Sequence, residues 1–342
     1  MMEQQNEFNT VNRSSLRIGF MNIRGQSGLQ IRKQVQIEAF VRRHDCDILH
    51  LQEANIESET FSSCDFISSN YNIFSNNSVS KYGTASLVKS GLMVENVRCD
   101  TEGRVIIFNI GQLTFTNIYL HSGTDGQSRA GRERICSEVL PNLLINSKLT
   151  GCAGGDFNCI NDKKDATNHP EAKMSRCLQR LVKVNNWSDS YRAVHPTTLA
   201  YSRYYENTRA EGASRIDRCY HYGDMVVEEA QYLPVAFSDH FAHLIKFSLP
   251  NNLAKIVSPK CRPSFRMRAE VIKDAVFKER LAEAMQRWGR VRQFQGREGG
   301  SGTLQWWDLL VKPGIKKIAL NRTKEINIGK NEEMNFLLIR QA

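Results

Sequence analysis

Short apolar runs that stop abruptly on polar side chains recur along this chain. The sharpest of them, residues 149–155, ends in Gly154-Gly155-Asp156-Phe157-Asn158. The small-residue run reads as a buried strand, and the Gly-Gly pair lets the backbone turn tightly or approach a ligand closely. Asp156 then supplies a hard oxygen suited to a metal or to orienting a water. Asn158, two residues on, projects to the same side of an extended chain. Asp-x-Asn after a strand is also a common turn, because both residues hydrogen-bond their own backbone. The functional reading gains weight because other strand ends in the chain have the same polar character.

In chain order, residues 16–21 alternate as a strand and stop at Asn22-Ile23-Arg24-Gly25. Residues 31–43 follow as an amphipathic helix, with Ile31, Val35, Phe40 and Val41 as its apolar positions. A second short strand, 46–51, ends at Gln52-Glu53, where a carboxylate at a buried strand end needs a hydrogen bond, a counter-charge or a cation. Segments 71–74, 85–88, 94–98, 105–110 and 114–120 alternate between Gly, Asn and Ser breaks, the pattern of a β-meander. The last of these delivers Asn117, Tyr119 and His121 to one side. Helical spacing over 127–146 leads back to the Gly-Gly strand. Beyond Asn158 come a polar loop (161–170), a helix (172–186), a strand (201–205) and a hairpin-like loop (206–212). Ser214-Arg215-Ile216-Asp217 opens another strand, and Ser238-Asp239-His240 precedes the last, 241–247. Strands followed by a helix, twice over, predict an α/β protein: a four-layer α/β sandwich of two packed mixed β-sheets flanked by helices.

Charge divides the chain. Residues 1–250 carry 27 Lys and Arg against 27 Asp and Glu, while residues 251–342 carry 19 against 9, the whole of the net +10. A neutral body with a basic tail points to a polyanionic partner, and nucleic acid is the usual one. The expected organisation is a disordered N-terminus (1–15), a catalytic-type domain (16–249) and a basic helical tail (250–342). In that tail, residues 250–263 read as a linker, 265–294 as a long helix and 296–302 as a flexible break before Trp306-Trp307. Nine cysteines without a Cys-x-x-Cys argue against a zinc site and a disulfide framework, so no disulfide-linked partner is expected. The polar N-terminus is no signal peptide, and no apolar run approaches the roughly 20 residues that span a bilayer. The chain reads as intracellular, nuclear or cytoplasmic, without a membrane partner.

Taken together, the polar strand ends are Asn22, Glu53, Tyr119, Asp156 with Asn158, Asp217, and Asp239 with His240. That set suits metal-assisted hydrolysis of a phosphodiester, which needs a carboxylate for a hard cation, an aligned water, and donors for charge building on the phosphate. Glu53 suits the metal, Asp156 the water, and Asn22, Asn158 and Tyr119 the phosphate. His240 suits donation to the phosphate if a carboxylate such as Asp217 holds it.

Six words carry a resemblance: Asn22-Ile-Arg-Gly25, Leu51-Gln-Glu53, Asn117-Ile-Tyr119, Gly154-Gly-Asp-Phe-Asn158, Ser214-Arg-Ile-Asp217 and Ser238-Asp-His240. In this order, and spread over residues 16–249, they resemble the endonuclease/exonuclease/phosphatase superfamily, which includes DNase I and apurinic/apyrimidinic endonucleases. The chain looks most similar to the endonuclease domain of LINE-type (non-LTR) retrotransposon proteins. The resemblance implies a DNase I-like fold and Mg²⁺, with Mn²⁺ as a substitute, held by Glu53 with Asn22 and Asp239 nearby. It implies that Asp156 activates water beside Asn158, that Asp217 hydrogen-bonds His240, and that His240 and Tyr119 contact the phosphate. Ser202 and Ser238 are implied as further phosphate contacts. The implied substrate is double-stranded DNA, nicked to leave a 3′-hydroxyl, with RNA as a second partner of the tail. Many relatives have Pro-Asn shortly after the tyrosine, where this chain has Leu120-His121-Ser122. The competing expectations are an abasic-site or small-phosphodiester hydrolase of the same fold, and an inactive retroelement fragment that only binds nucleic acid.

Overall fold

A computed structural model of the chain describes residues 11–12, 14–25, 30–57, 60–61, 64–77, 83–145, 147–207, 210–249, 255–256 and 269–294. Between 311 and 326 it describes all but 312, 313, 316, 320 and 324. The chain forms two units, Met1–Arg262 and Pro263–Ala342.

The first unit begins β1 (Val11–Asn12), β2 (Ser15–Asn22), α1 (Ile31–His44), β3 (Ile48–Gln52), α2 (Asp65–Asn70), β4 (Tyr71–Asn76) and β5 (Thr84–Lys89). It continues with β6 (Val94–Cys99), β7 (Val105–Ile110), β8 (Leu113–Tyr119), α3 (Gly126–Arg134), a π-helical turn (Ile135–Val139), α4 (Leu140–Leu144) and β9 (Thr150–Asp156). Next are α5 (Pro170–Lys173), α6 (Arg176–Val184), β10 (Ser188–Asp189), α7 (Ser190–Val194) and the hairpin of β11 (Arg203–Asn207) and β12 (Ala210–Ser214). It closes with β13 (Asp217–Tyr222), β14 (Val226–Leu233), β15 (Ala242–Ser248) and β16 (Lys255–Ile256), the last pairing with β1.

Two six-stranded sheets result, ordered β14-β15-β2-β3-β5-β4 and β10-β13-β9-β8-β7-β6. Each has one parallel pair, β2 with β3 and β8 with β9, among antiparallel neighbours. A parallel pair needs a crossover, supplied by α1 in one sheet and by α3 through α4 in the other. The carboxyl ends of each pair therefore finish side by side: Asn22 opposite Gln52, and Tyr119 opposite Asp156.

Period-two alternation builds four layers. Ile106, Phe108 and Ile110 of β7 join Ile18, Phe20, Phe115 and Phe247 between the sheets. Val105 and Ile107 point the other way, under Ile135, Leu140, Leu178 and Leu181 of the helices. On the outer face of the first sheet, Ile37, Phe40, Val41 and Ile67 cover Leu49, Leu51 and Leu87. The fold is thus the expected DNase I-like sandwich of two mixed sheets flanked by helices, with a helical region towards the C-terminus.

Several local expectations needed correction. The meander splits, with β4 and β5 in one sheet and β6 to β8 in the other, because both faces of β7 and β8 are buried. Helix α1 buries Gln34, Ile37, Phe40 and Val41 and leaves Ile31 and Val35 exposed, so its inner stripe is rotated from the one anticipated. The helix expected over 172–186 is broken at Met174-Ser175, where the Ser175 hydroxyl caps α6 by accepting from Leu178 N. Helices α2 and α7 and strand β14 were not foreseen.

The second unit contains α8 (Ala269–Lys273) and α9 (Ala275–Phe294). The helix expected to run unbroken to 294 is interrupted at Asp274, whose carboxylate caps Phe277 N at 2.8 Å and pairs with Arg322. Val271, Phe277 and Ala319 form its small core. Among the described residues, no helix is long and apolar enough to cross a membrane. The N-terminal ten residues, most of the 250–263 linker, the 296–302 break and Trp306-Trp307 lie outside the described residues.

Candidate active site

The carboxyl ends of the two parallel pairs meet across the sheets. Asn22 Nδ2 donates to Glu53 Oε1 at 3.1 Å and to Asp156 Oδ2 at 2.9 Å, so one amide joins a residue from each sheet. The Tyr119 hydroxyl donates to the same Glu53 oxygen at 3.2 Å. Beneath them, Gln52 Nε2 donates to Asn117 Oδ1 at 2.7 Å, and Asn117 Nδ2 donates to the Leu51 and Ala85 carbonyls. This buried amide ladder clamps the sheets directly under the site. Sequence reasoning quoted Gln52 and Asn117 without assigning them that work.

Asp156 is held from two sides. Its Oδ1 accepts from Asn158 N at 2.8 Å, and its Oδ2 from Asn158 Nδ2 at 3.1 Å. Asn158 reaches this position with φ +49°, in the left-handed region, and its amide also donates to the Leu120 carbonyl at 2.9 Å. Both hydrogens of the Asn158 amide are thereby engaged, as are both of Asn22. Each orients a carboxylate; neither amide has a hydrogen left for phosphate. Gly155, at φ +136°, leaves no room for a Cβ, which would collide with the Ile118 carbonyl.

His240 arrives from the loop before β15 and Asp217 from the start of β13, which is paired opposite Asp156. His240 Nδ1 lies 3.0 and 2.8 Å from the two Asp217 oxygens, leaving Nε2 as the nitrogen for a substrate. Burial alone would push the His240 imidazole down. The Asp217 carboxylate, with Asp156 beyond it, outweighs burial and raises it to about 9. Asp156 moves up to about 7, through burial first and then the Asp217 charge. The Tyr119 hydroxyl is raised by burial and by the Glu53 and Asp156 charges, so it stays a donor.

Three side chains take positions other than those the resemblance implied. Ser202 is fully buried: its hydroxyl accepts from Ile216 N at 3.0 Å and Asp217 N at 2.9 Å, holding the start of β13. Ser238 Oγ donates to the Asn22 carbonyl at 2.7 Å and accepts from His240 N at 3.1 Å, latching the histidine loop to β2. Neither hydroxyl is free for phosphate. Asp239 Oδ2 accepts from Arg203 Nε at 3.0 Å, and Arg24 lies 3.7 Å from its other oxygen, so its charge is met by guanidinium groups. A buried cluster that sequence reasoning missed flanks Asp217 in the chain, at Arg215 and Arg218. Arg215 donates to Asp165 at 2.7 Å and to Asp189, and Arg218 donates to the Cys159 carbonyl at 2.6 Å. Arg215 stood inside a quoted word, but its partners lie 50 and 26 residues away and carry no local signal.

Two observations bear on a metal. Asp156, Asp217 and His240 each present a ligand atom within 4.8 Å of the others, a set able to hold a divalent cation. Glu53 Oε2 is buried without a hydrogen-bond partner, an anionic oxygen that only a cation or donor would compensate. Asp217 is also hydrogen-bonded to His240, so the triad and the unpartnered Glu53 oxygen offer two positions for such a cation.

A fold of two mixed sheets with this cluster at the strand ends defines a DNase I-like phosphoesterase scaffold. The chain belongs to the endonuclease/exonuclease/phosphatase family, whose sequence profile matches residues 20–240. No curated protein matches it by sequence. Among solved structures it is similar to a 3′-5′ exonuclease from Neisseria meningitidis, with TM-score 0.57 and 17% identity over 68% of this chain and 100% of that one. An AP endonuclease from Leishmania major aligns with TM-score 0.56 and 17% identity, over 69% and 89%. One from Archaeoglobus fulgidus aligns with 0.54 and 18%, over 67% and 98%. At these identities the likeness is one of fold.

Proposed function

We propose that the chain is a divalent-cation-dependent endonuclease that hydrolyses a phosphodiester of duplex DNA. The single observation that carries this is the Asn22 bridge, which sets Glu53 of one sheet beside Asp156 of the other, next to the Asp217–His240 pair. Mg²⁺, or Mn²⁺ in its place, would be held by Glu53, with the Asp156–Asp217–His240 side of the cluster beyond; bound there, it would polarise the phosphoryl oxygens and steady the leaving oxygen. Asp156 takes the proton from the attacking water, and its raised pKa suits it to that. Asn158 and Asn22 fix the carboxylate's orientation. His240, kept protonated by Asp217, donates from Nε2 to a phosphate oxygen, and the Tyr119 hydroxyl, which donates to Glu53 in the free site, turns to the phosphate once a cation takes over that carboxylate.

The finer reading is the endonuclease of a non-LTR retroelement, nicking DNA in the nucleus to leave a 3′-hydroxyl that primes reverse transcription. The words Ser214-Arg-Ile-Asp217 and Ser238-Asp-His-Phe241 support it, as does the basic region after residue 250, which would also engage RNA. The test is nicking of supercoiled plasmid with Mg²⁺, alongside abasic duplex and small phosphodiesters, with primer extension mapping the cut. Intact protein converts plasmid to open circles. Asp156→Ala and His240→Ala each lose at least about two orders of magnitude of rate. Preference for abasic duplex would reassign the substrate, and no cleavage of any member of the panel would sink the proposal.

A further inference from the structure

Arg218 follows Asp217 on β13, so its side chain leaves the opposite face of the strand, and there its guanidinium is fully buried. Its carboxylate neighbour is shared: Asp165 Oδ2 lies 3.6 Å from Nη1, while Asp165 Oδ1 already accepts from Arg215 and Arg192. Arg218 Nε is buried without a hydrogen-bond partner. What the fork does meet is main chain. Nη2 donates to the Cys159 carbonyl at 2.6 Å and Nη1 to the Arg215 carbonyl at 3.0 Å, with the Phe157 ring centre 5.2 Å from the guanidinium carbon. Burying a cation on such terms is expensive, and packing alone would be served as well by an apolar side chain.

The choice of carbonyls gives the cation a purpose. Cys159 follows Asn158 and Arg215 stands two residues before Asp217, so one planar fork joins the segment carrying Asp156 and Asn158 to the segment carrying Asp217. On the Asp156 side of Asn158 the same segments are joined by main chain, through the ladder pair of Asp156 with Asp217 and the bond from Phe157 N to the Ile216 carbonyl at 2.9 Å. On the far side, Ile160 turns away to bond with Lys173 and Ser175, and the Cys159 carbonyl is the point that Arg218 ties back to β13. Asn158 sits between these ties at φ +49°, a conformation that a non-glycine residue leaves unless it is held. From there its main-chain and side-chain N–H groups grip both oxygens of Asp156. We propose that Arg218 is a positioning residue, whose fork fixes Asn158 in the left-handed conformation from which it orients the Asp156 carboxylate towards the attacking water. The catalytic consequence rests on the proposed role of Asp156 as the base; the hold on Asn158 does not. Lysine is no substitute, because one ammonium on a flexible stem reaches either carbonyl without setting the distance between them.

Two readouts on the intact protein test this in Arg218→Lys and Arg218→Met. The first is backbone hydrogen exchange by NMR, with chelator present and no DNA. It compares the Asn158 N–H, which donates to Asp156 Oδ1, with the amides of β7, which report global opening. Relative to β7, Asn158 should exchange at least about tenfold faster in both variants than in the wild type. The second is nicking, normalised to the folded fraction measured by near-UV circular dichroism. There kcat should fall by roughly ten- to a hundredfold while KM stays within about twofold. Arg218→Lys keeps the charge and most of the volume, so it carries the test if Arg218→Met does not fold. Asn158 exchange that rises only in step with β7 would make Arg218 a stability residue and overturn the proposal. So would wild-type exchange and kcat in Arg218→Lys, since charge without the fork would then suffice. Faster Asn158 exchange in the variants of a protein that nicks nothing would support the hold on Asn158 and count against the endonuclease reading alone.

Discussion

At the scale of single residues, the proposed hydrolysis calls for two neighbouring groups in opposite charge states. Burial and the Asp217 charge raise Asp156 to about 7, and the Asp217 carboxylate outweighs burial to raise His240 to about 9, so between those values the proposed base is ionised while the proposed donor keeps its proton. Nicking should therefore be bell-shaped in pH, falling on the acid side as Asp156 protonates and on the alkaline side as His240 loses its proton. Asp217→Asn removes the charge that outweighs burial at His240, and the alkaline limb should move down below neutrality. A rate profile from pH 5 to 10 on both proteins checks this, and an unmoved limb in the variant would remove Asp217 from the role. Stability carries the same sign. The folded pKa of His240 lies above its ordinary 6.5, so the pair's contribution is complete below about pH 6.5 and is lost as pH rises through about 9. Glu53 is tested separately. Glu53→Gln removes the orphaned anionic oxygen, and the Mg²⁺ concentration for half-maximal nicking should rise by about tenfold or more. An unchanged requirement would move the cation to the Asp156–Asp217–His240 triad. Most of these residues were readable in the chain, because a carboxylate or histidine at the end of an apolar run costs too much to be idle. Direction was not readable. Ser238 and Asp239 stood in a quoted word and Ser202 in the strand 201–205, but whether a hydroxyl meets phosphate or a backbone N–H depends on neighbours that only folding supplies.

Elements explain why those groups converge. Two parallel pairs, each made by one crossover, finish their strands at one place, and a single antiparallel strand, β13, starts there. The apolar runs announced these strands to within a residue or two, since both faces of β7, β8 and β9 are buried and leave little polar interruption. Which sheet each strand joins was not announced: β4-β5 and β6-β8 share one alternating pattern, and only pairing partners far along the chain separate them. The start of β13 depends on Ser202, the acceptor for two buried N–H groups. Ser202→Ala leaves both without that partner, and should cost about 1–3 kcal/mol in urea unfolding and lower kcat by misplacing Asp217. A variant of wild-type stability with only a raised KM would instead return Ser202 to the substrate.

For the whole molecule, charge and fold give complementary information. The sandwich spans residues whose positive and negative side chains balance, so the proposed endonuclease would depend on the region after residue 250 for long-range attraction of DNA. Within it, α8 and α9 expose Lys273, Lys278 and Arg287, whereas Arg280 and Arg322 are engaged with Glu325 and Asp274. Unpaired exposed cations release counterions when they meet phosphates, and each one lost should reduce the slope of log affinity against log salt by about 0.9. In the full chain, Lys273→Gln, Lys278→Gln and Arg287→Gln together should flatten that slope by about 2 to 3 while leaving cleavage of bound DNA unchanged. Fluorescence anisotropy of a labelled duplex across a salt series, with chelator present to prevent cutting, measures the slope. Single-turnover nicking measures the chemistry. A flattened slope with intact chemistry assigns capture to the basic region and hydrolysis to the sandwich. An unchanged slope would mean that the electrically balanced body grips DNA by itself, through arginines such as Arg24 and Arg203 at the rim of the site, and that the excess positive charge of residues 251–342 serves another partner.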